Sequence, residues 1–489
     1  MMKQHRLIRI VSGFFWSLGW LLLFGGAYYH AAYTTGFQEL LYTLFSPIKG
    51  TAAGAMGDGL LRVGKPTLLM IALFVLLMLL LRRAWAVRPL LRRIVLLSGI
   101  AVLVTACAVV NRQLGVTDYI HRRMHPSRLY EERYVDPRSV RVTAPQRKKN
   151  LIVLYVESLE TAYASREHGG LQAEELMPNL YELAQSNISF GQGAGLRGFR
   201  SLAGTNWTMA AMLASTSGVH FGFPVDGNQM NRYQRFAPGL TALGDLLAAD
   251  GYRQSFLCGS DADFAGRRGY LEQHGQYEIL DLFTAREKGQ IPKDYFTWWG
   301  YEDEKLFAIA KEELTRVAGS GGPFNFTLLT ADLHHPGGYV SAHCPRTHEN
   351  PTADVVLYSD AQIAAFVSWC QAQSFWDDTV MLILGDHPRM DPSLVGESPY
   401  NERPVYNCLL NTGMTANQNR LCSTMDLFPT TLAALGYTIE GDRLGLGVNL
   451  FADVPTLAES MGVDALQEEL QHYARYFVQV FSKPAADPR

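Results

Sequence analysis

Carboxylate and imidazole side chains follow two β-rich apolar runs in this sequence. Glu157 comes directly after the run 150–156, and Asp386 and His387 follow the run 379–384 after a single glycine. Mixed carboxylate and imidazole ligation suits zinc or manganese, so these residue types predict a metal site. An isolated Asp-His pair is more often part of a turn. The interpretation therefore depends on whether the fold brings the residues together.

A hydroxyl side chain supplies the candidate nucleophile. Gly204 and Thr205 precede a helix-like stretch, 209–215. At the start of a helix, a hydroxyl lies among unpaired backbone N–H groups, which stabilise a phosphate or a developing oxyanion. The commoner role of such a residue is a simple helix cap. We expect Thr205 at the open N-terminus, whereas Thr208, the alternative nucleophile, should lie inside the helix about one turn later.

Two adjacent histidines complete the set of candidates. His334 and His335 lie in a loop rich in Gly and Pro, directly after the apolar run 324–330. Histidine in this setting suits contact with a metal or a phosphate, or general acid–base catalysis.

The elements that position these residues alternate between strands and helices. The apolar runs are nearly continuous and β-rich, which is typical of strands buried on both faces of a parallel sheet. We predict an α/β fold, with a mostly parallel sheet flanked by helices. Because open α/β sheets bind ligands at the carboxyl ends of strands, the candidates should meet at one edge. The predicted helices include 176–186, 239–250, 302–318, 360–373, one starting near 425, and 466–481.

The first part of the chain reads as a membrane domain. Three apolar stretches approach the ~20 residues that a transmembrane helix needs, and they predict spans at about 10–33, 64–83 and 94–111. Lys and Arg are concentrated before the first span and between the second and third, which places both segments in the cytoplasm. We expect a transmembrane domain at 1–111, a connector at 112–149 and a catalytic domain at 150–489 on the outer side, in the periplasm of a bacterium.

Charge and cysteine usage add further expectations. The chain has 43 basic and 46 acidic residues and no basic stripe, which argues against a nucleic-acid partner. Five of the six cysteines fall in the part placed outside the cytoplasm, where disulfides are permitted. Cys408 and Cys422 flank a turn-like stretch and form the predicted pair.

Residues from about Asn150 to about Phe451 resemble the alkaline phosphatase and sulfatase superfamily, specifically the membrane-anchored, lipoteichoic acid synthase-like phosphoglycerol transferases. The local sequences at 204–208 and 332–339 are most similar to the phosphoglycerol transferases of Gram-negative envelopes, which modify periplasmic glucans. Long relatives carry five membrane spans, whereas three are predicted here. The motifs that carry the resemblance are Val156-Glu157-Ser158, Gly204-Thr205, His334-His335-Pro336, Leu384-Gly385-Asp386-His387 and Met425-Asp426-Leu427-Phe428-Pro429-Thr430.

The resemblance implies roles for individual residues. It implies one divalent metal, Mn²⁺ in preference to Mg²⁺ or Zn²⁺, held by Glu157, Thr205, Asp386 and His387. Thr205 would also be the nucleophile, and His334 would be a catalytic residue that contacts the substrate phosphate. The remaining substrate-binding residues would be His335 and Trp299, the latter by a looser match to the family's Trp-Gly turn.

The implied reaction moves sn-glycerol 1-phosphate from phosphatidylglycerol to an extracytoplasmic glycan through a covalent threonine intermediate, with release of diacylglycerol. The enzyme would be a multi-pass protein of the bacterial inner membrane. One alternative is a phosphoethanolamine transferase of the same superfamily, and another is a non-catalytic lipid-binding regulator, which should have lost its metal ligands. A sulfatase acting on soluble substrates is disfavoured, because the nucleophile is a threonine and no Cys-x-Pro-x-Arg run is present.

Overall fold

The structure is a computed structural model that describes residues 2–32, 37, 40, 41, 60–222 and 236–481. The chain forms two compact units, and it passes from the first to the second between His121 and Arg122.

The first unit contains three helices that are long and apolar enough to cross a membrane: Arg6–Ala31, Leu61–Leu80 and Pro89–Leu114. They confirm the three predicted apolar spans, although residue 33, the expected end of the first, lies outside the described residues. The helical bounds in this unit are α1 Met2–Ala32, a π-helical turn Leu60–Gly64, α2 Lys65–Leu80, α3 Arg82–Val87 and α4 Pro89–Leu114.

Small residues allow α1 and α4 to pack closely. A Cβ added to Gly19 would lie 2.8 Å from the Val102 side chain, and one added to Gly99 would lie 3.1 Å from the Ser12 carbonyl oxygen. Close backbone approach at glycine is typical of helix pairs that pack within a bilayer.

The second unit is built on a seven-stranded sheet with the order β3-β8-β7-β2-β6-β4-β5. Strands β2, β4, β5, β6 and β7 are parallel, whereas β8 runs antiparallel to both β7 and β3. The mostly parallel sheet is therefore confirmed. The strand bounds are β1 Val142–Thr143, β2 Asn150–Val156, β3 Gly198–Phe199, β4 Arg253–Cys258, β5 Glu278–Leu280, β6 Phe324–Leu329, β7 Thr379–Gly385, β8 Val405–Leu410, β9 Thr438–Ile439, β10 Arg443–Leu444 and β11 Gly447–Val448.

Helices cover both faces of this sheet. Ile152 and Leu154 belong to a buried apolar cluster that includes residues of α12 and α13, whereas the alternate residues Val153 and Tyr155 lie beside α8 and α14. Burial on both faces explains why β2 is apolar throughout. The remaining helical bounds are α5 Val116–Met124, α6 Leu129–Arg133, α7 Pro178–Ser186, α8 Thr208–Ser217, α9 Leu243–Ala249, α10 Arg267–Gln273, α11 Leu282–Glu287, α12 Asp303–Gly319, α13 Pro351–Gln371, α14 Leu427–Ala434, α15 Leu457–Met461, α16 Val463–Gln471 and α17 Arg475–Phe481.

Three predicted helices differ from those observed. The helix expected over 239–250 begins only at Leu243, because Ala242 adopts an extended conformation. Helix α13 begins at Pro351 rather than near 360, because the Asn350 side chain accepts a hydrogen bond from the Thr352 N–H and caps an earlier start. The helix expected over 466–481 is divided into α16 and α17, because His472 adopts an extended conformation between them.

The predicted disulfide is wrong. Cys408 and Cys422 are both free and buried. Their thiols contact different backbone carbonyls, that of Leu183 for Cys408 and that of Arg420 for Cys422, each at 3.5 Å. The turn-like sequence between them does not bring the two thiols together.

Gly385, the last residue of β7, lies where a side chain cannot fit. An added Cβ would be 1.7 Å from the carbonyl oxygen of Leu159, which is itself held by the Tyr406 N–H at 3.1 Å. We expect Gly385→Ala to lower the free energy of unfolding by about 3 kcal/mol or more. Gly319→Ala is the control, because an added Cβ there meets nothing within 4 Å. Chemical denaturation of both variants checks this prediction, and equal stabilities would contradict it.

Candidate active site at the carboxyl ends of three strands

The candidate residues follow three neighbouring strands. In the sheet β2 lies between β7 and β6, with Val156 paired to Gly385 and Tyr155 paired to Leu329. The segments after these strands therefore begin at nearly the same level. One carries Glu157, the next carries Asp386 and His387, and the third carries His334. The expectation that the strand ends gather these residues at one edge is confirmed.

Glu157, Asp386 and His387 form a compact buried cluster. One potential ligand atom from each lies within 4.8 Å of the other two. The His387 Nε2 atom is 3.3 Å from Glu157 Oε1 and 3.5 Å from Asp386 Oδ2. All three residues are at most 3% exposed. Two carboxylates this deeply buried need a positive charge beside them.

The hydrogen bonds around the cluster leave suitable atoms for a cation. Asp386 Oδ1 accepts the backbone N–H groups of Ser158 and His387, both at 2.8 Å, whereas Asp386 Oδ2 is buried without a hydrogen-bond partner. The His387 Nδ1 atom lies 2.8 Å from the Pro388 carbonyl oxygen, which can only accept. Nδ1 therefore carries the proton of the neutral ring, and Nε2 is the atom that would bind a cation once its own proton is displaced. This donor set fits a divalent cation.

The pKa values of the cluster reflect its crowded negative charge. Burial and the charge of Glu157 raise the pKa of Asp386 to about 7, and the positive charge of His387 partly opposes that rise. Burial disfavours protonation of His387, but the charges of Asp386 and Glu157 outweigh it and raise its pKa to about 9. A proton on His387 is thus stabilised by the same two carboxylates that would stabilise a metal ion.

Thr208 is the hydroxyl that lies beside this cluster. Its Oγ1 atom is 3.4 Å from Glu157 Oε2 and donates to it. Thr208 is also the first residue of α8, directly after Trp207 in an extended conformation. The hydroxyl therefore lies at the open N-terminus of a ten-residue helix, where unpaired N–H groups favour negative charge.

Thr205 lies elsewhere, so its expected position at the helix N-terminus is wrong. Its Oγ1 atom donates to the Leu202 carbonyl and accepts from the Leu202 N–H, both at 3.0 Å. Gly204, with a φ of +71°, allows a tight turn in which the Thr205 hydroxyl makes its hydrogen bonds to Leu202. The helix consequently begins at Thr208, which was expected inside it. The sequence signal for this start is that Thr208 directly precedes the strong helix formers 209–214.

His334, His335 and Trp299 lie together near the cluster. The His334 ring centroid is 4.3 Å from that of Trp299 and 4.4 Å from that of His335. The His334 Nδ1 atom lies 2.7 Å from the His335 carbonyl oxygen, so Nδ1 carries the proton and Nε2 is available as an acceptor. Burial lowers the pKa of His334, although the charge of Glu157 opposes this.

A tight turn carries Trp299 and joins it to the histidine loop. Thr297 and Gly300 exchange two backbone hydrogen bonds of 2.7 and 2.8 Å around Trp298 and Trp299. Trp298 has a φ of +53°, a left-handed conformation that is rare for a bulky residue. Its ring stacks on Tyr339 with centroids 6.2 Å apart, which connects the turn to the loop after β6. Trp298 was not predicted as a site residue, and the Trp-Trp doublet is the only sequence signal for it.

Comparisons with known proteins identify the family of this chain. Residues 149–437 match the family model named Sulfatase. Over 341 residues, the chain is 32% identical to Phosphoglycerol transferase I from Xanthomonas campestris pv. campestris, and this covers 68% of the chain and 46% of the relative. The chain thus spans about half the length of the curated relatives it matches.

Two solved structures share the fold. One is a protein in the alkaline phosphatase superfamily from Vibrio parahaemolyticus, 23% identical with a TM-score of 0.50, over 67% of this chain and 76% of that one. The other is the lipoteichoic acid synthase LtaP from Listeria monocytogenes, 19% identical with a TM-score of 0.50, over 64% and 80%. The Sulfatase family model matches more than half of this chain, and the chain therefore belongs to the sulfatase family.

Proposed function

We propose that this protein transfers a glycerophosphoryl group from phosphatidylglycerol to a hydroxyl of an extracytoplasmic glycan and releases diacylglycerol. The observation that carries the proposal is the Thr208 hydroxyl at the start of α8, 3.4 Å from Glu157 in a cluster of metal-binding side chains. The likeness to Phosphoglycerol transferase I supports the choice of transferred group.

Glu157, Asp386 and His387 would hold one divalent cation, with the Thr208 hydroxyl beside them in place of Thr205. Mn²⁺ remains the proposed ion, with Mg²⁺ and Zn²⁺ as alternatives. Such a cation supplies Lewis acidity to the phosphoryl oxygens and lowers the pKa of the threonine hydroxyl.

The protein's own residues then act in two displacements. Thr208 Oγ1 attacks phosphorus, the bond from phosphorus to the diacylglycerol oxygen breaks, and diacylglycerol leaves with a proton. A glycan hydroxyl next attacks the glycerophosphoryl-Thr208 intermediate, loses its proton and regenerates the Thr208 hydroxyl. The first N–H groups of α8 would stabilise charge on the phosphoryl oxygens. His334 would accept the proton of the attacking hydroxyl at Nε2, stabilise the phosphoryl oxygens as an imidazolium, and return the proton to the leaving oxygen.

Trp299 and His335 would complete the substrate-binding surface, because both rings pack against His334. The apolar helices fit a donor that stays in a bilayer, since a chain with candidate spans remains at the membrane with its lipid. We further propose that the catalytic unit lies in the periplasm, as the distribution of Lys and Arg around the spans predicts.

The donor is tested with the purified full chain in detergent, Mn²⁺, a periplasmic glucan and headgroup-labelled phosphatidylglycerol. We expect release of diacylglycerol together with transfer of the label to the glucan. A parallel reaction contains labelled phosphatidylethanolamine. Diacylglycerol release from phosphatidylethanolamine alone would make the protein a phosphoethanolamine transferase. Release from neither lipid would favour the non-catalytic regulator and would contradict the proposal.

A further inference from the structure

Buried charged side chains lie directly behind the candidate active site. Glu160 is in the same segment as Glu157, after β2, whereas Arg389 and Asp391 follow the metal-type residues after β7. Arg389 is the largest of the wholly buried side chains among the described residues, and Glu160 is also fully buried. Arg403, 3% exposed, is the fourth member of this group.

The charges compensate one another. Arg389 donates from Nε to Asp391 Oδ1 at 2.9 Å and from Nη2 to Asp391 Oδ2 at 2.7 Å, which is the bidentate geometry typical of strong Arg–carboxylate pairs. Glu160 accepts the Arg389 backbone N–H at 2.9 Å and also pairs with Arg403. Two cations thus face two carboxylates, so the group is neutral overall.

The Arg389–Asp391 pair also holds the loop that carries His334. Arg389 Nη1 donates to the Leu333 carbonyl oxygen at 3.1 Å, and Asp391 Oδ2 accepts the Gly337 N–H at 3.1 Å. Leu333 directly precedes His334, and Gly337 follows the His335-Pro336 pair. Both ends of this short segment are therefore bound by one ion pair.

We propose that Arg389 and Asp391 are positioning residues that set the place of His334 relative to the Thr208 hydroxyl. They bind the loop after β6 to the segment that carries Asp386 and His387. This fixes the position of His334 relative to those two residues. A buried ion pair is weak evidence for stability, since apolar residues of similar volume often serve as well there. The proposal rests on the proposed function in that His334 acts on the transferred group.

Arg389→Lys is the informative change. Lysine keeps the positive charge beside Asp391, but its single ammonium group lacks the planar fork that serves Asp391 and the Leu333 carbonyl together. The loop should therefore lose one of its two attachments without a change in net charge.

Arg420 provides a matched control. Arg420 is 8% exposed and binds Glu459 in the same bidentate way, at 2.7 and 2.8 Å. It also donates to the backbone carbonyls of Ala452 and Val454. Arg420→Lys thus removes the same kind of contact, and none of its partners belongs to the loop after β6.

The kinetic test is a double-mutant cycle between Arg389→Lys and His334→Ala, measured as lipid-dependent transfer. We expect Arg389→Lys alone to lower kcat by about 10–100-fold, because small misplacements of reacting groups have effects of this size. The KM for the lipid and the affinity for Mn²⁺ should change by less than about 3-fold. In the His334→Ala background, Arg389→Lys should have almost no further effect. The proposal would be overturned if the two substitutions lowered kcat independently, so that their fold-effects multiplied in the double variant. It would also be overturned if Arg420→Lys lowered kcat as much as Arg389→Lys.

Amide hydrogen exchange of the full chain tests, without any assay of activity, whether the Arg389–Asp391 pair holds the loop after β6. Arg389→Lys should speed exchange over residues 331–339 and leave α8 and β2 unchanged, whereas Arg420→Lys should leave 331–339 unchanged. Unaltered exchange at 331–339, or faster exchange throughout the unit, would overturn the positioning role. If the unmodified protein transfers no lipid headgroup, the proposed function fails, but the exchange result still decides whether the pair positions the loop.

Discussion

Thr208→Ala should lower the rate of glycerophosphoryl transfer by about 10⁴-fold or more, because it removes the attacking oxygen and leaves only binding and charge stabilisation. The Thr208 side chain makes its described contacts with the carboxylate cluster and is partly exposed. Its loss should therefore change the stability of the fold by less than about 1 kcal/mol. Initial rates of diacylglycerol release, together with thermal unfolding of the same samples, check this prediction.

Two further variants show whether the loss of transfer is specific to the Thr208 hydroxyl. Thr208→Ser keeps a hydroxyl at the start of α8 and should retain measurable transfer. Thr205→Ala removes both hydrogen bonds to Leu202 from a wholly buried residue, so it should destabilise the fold by about 1–3 kcal/mol. Its folded fraction should still transfer within about 5-fold of the normal rate. A folded but inactive Thr205→Ala protein beside an active Thr208→Ala protein would reverse the assignment.

Asp386→Asn should weaken Mn²⁺ binding by about 100-fold or more, since even changes to residues that merely support ligands weaken binding 10–100-fold. Asparagine keeps one oxygen to accept the Ser158 and His387 N–H groups, but it replaces the unpartnered Oδ2 with an NH₂ group. Transfer should fall with the loss of the cation. In the unchanged protein, Mn²⁺ should raise Tm, because a ligand that binds only the folded state stabilises it.

Calorimetric titration and thermal scans with and without Mn²⁺ measure both effects. The control is Asp354→Asn, which alters another buried carboxylate, one hydrogen-bonded to Thr347 and His348. That variant should bind Mn²⁺ with normal affinity. Normal Mn²⁺ affinity in Asp386→Asn would contradict the assignment of the cluster as the metal site.

The central part of the fold could be predicted because its strands are buried on both faces. The continuous apolar runs at β2, β6 and β7 are typical of buried parallel strands, and parallel strands bring their carboxyl ends to one edge of the sheet. That is sufficient to bring Glu157, Asp386 and His387 together. The strands β5 and β8 were not predicted, since β5 is only Glu278–Leu280 and β8 follows a loop with no periodic signal.

The start of α8 could not be predicted from residue types alone. Gly204-Thr205 and Trp207-Thr208 both precede the strong helix formers 209–214, so propensity favours the later start only weakly. The difference arises from the turn at Gly204, whose positive φ directs the Thr205 hydroxyl back to Leu202. The attachment of the Arg389–Asp391 pair to the loop after β6 was equally hidden, because Leu333 and Gly337 lie 56 and 54 residues from their partners and meet them only in the folded unit.

The location of the covalent intermediate shows which threonine is the nucleophile. The full chain is mixed with Mn²⁺ and headgroup-labelled phosphatidylglycerol without any glycan acceptor, quenched in acid within the first turnover, and digested. Fragmentation mass spectrometry then assigns the label within the peptide that contains both threonines. We expect a glycerophosphoryl group on Thr208 and none on Thr205. A label on Thr205, or diacylglycerol release with no covalent adduct, would contradict it.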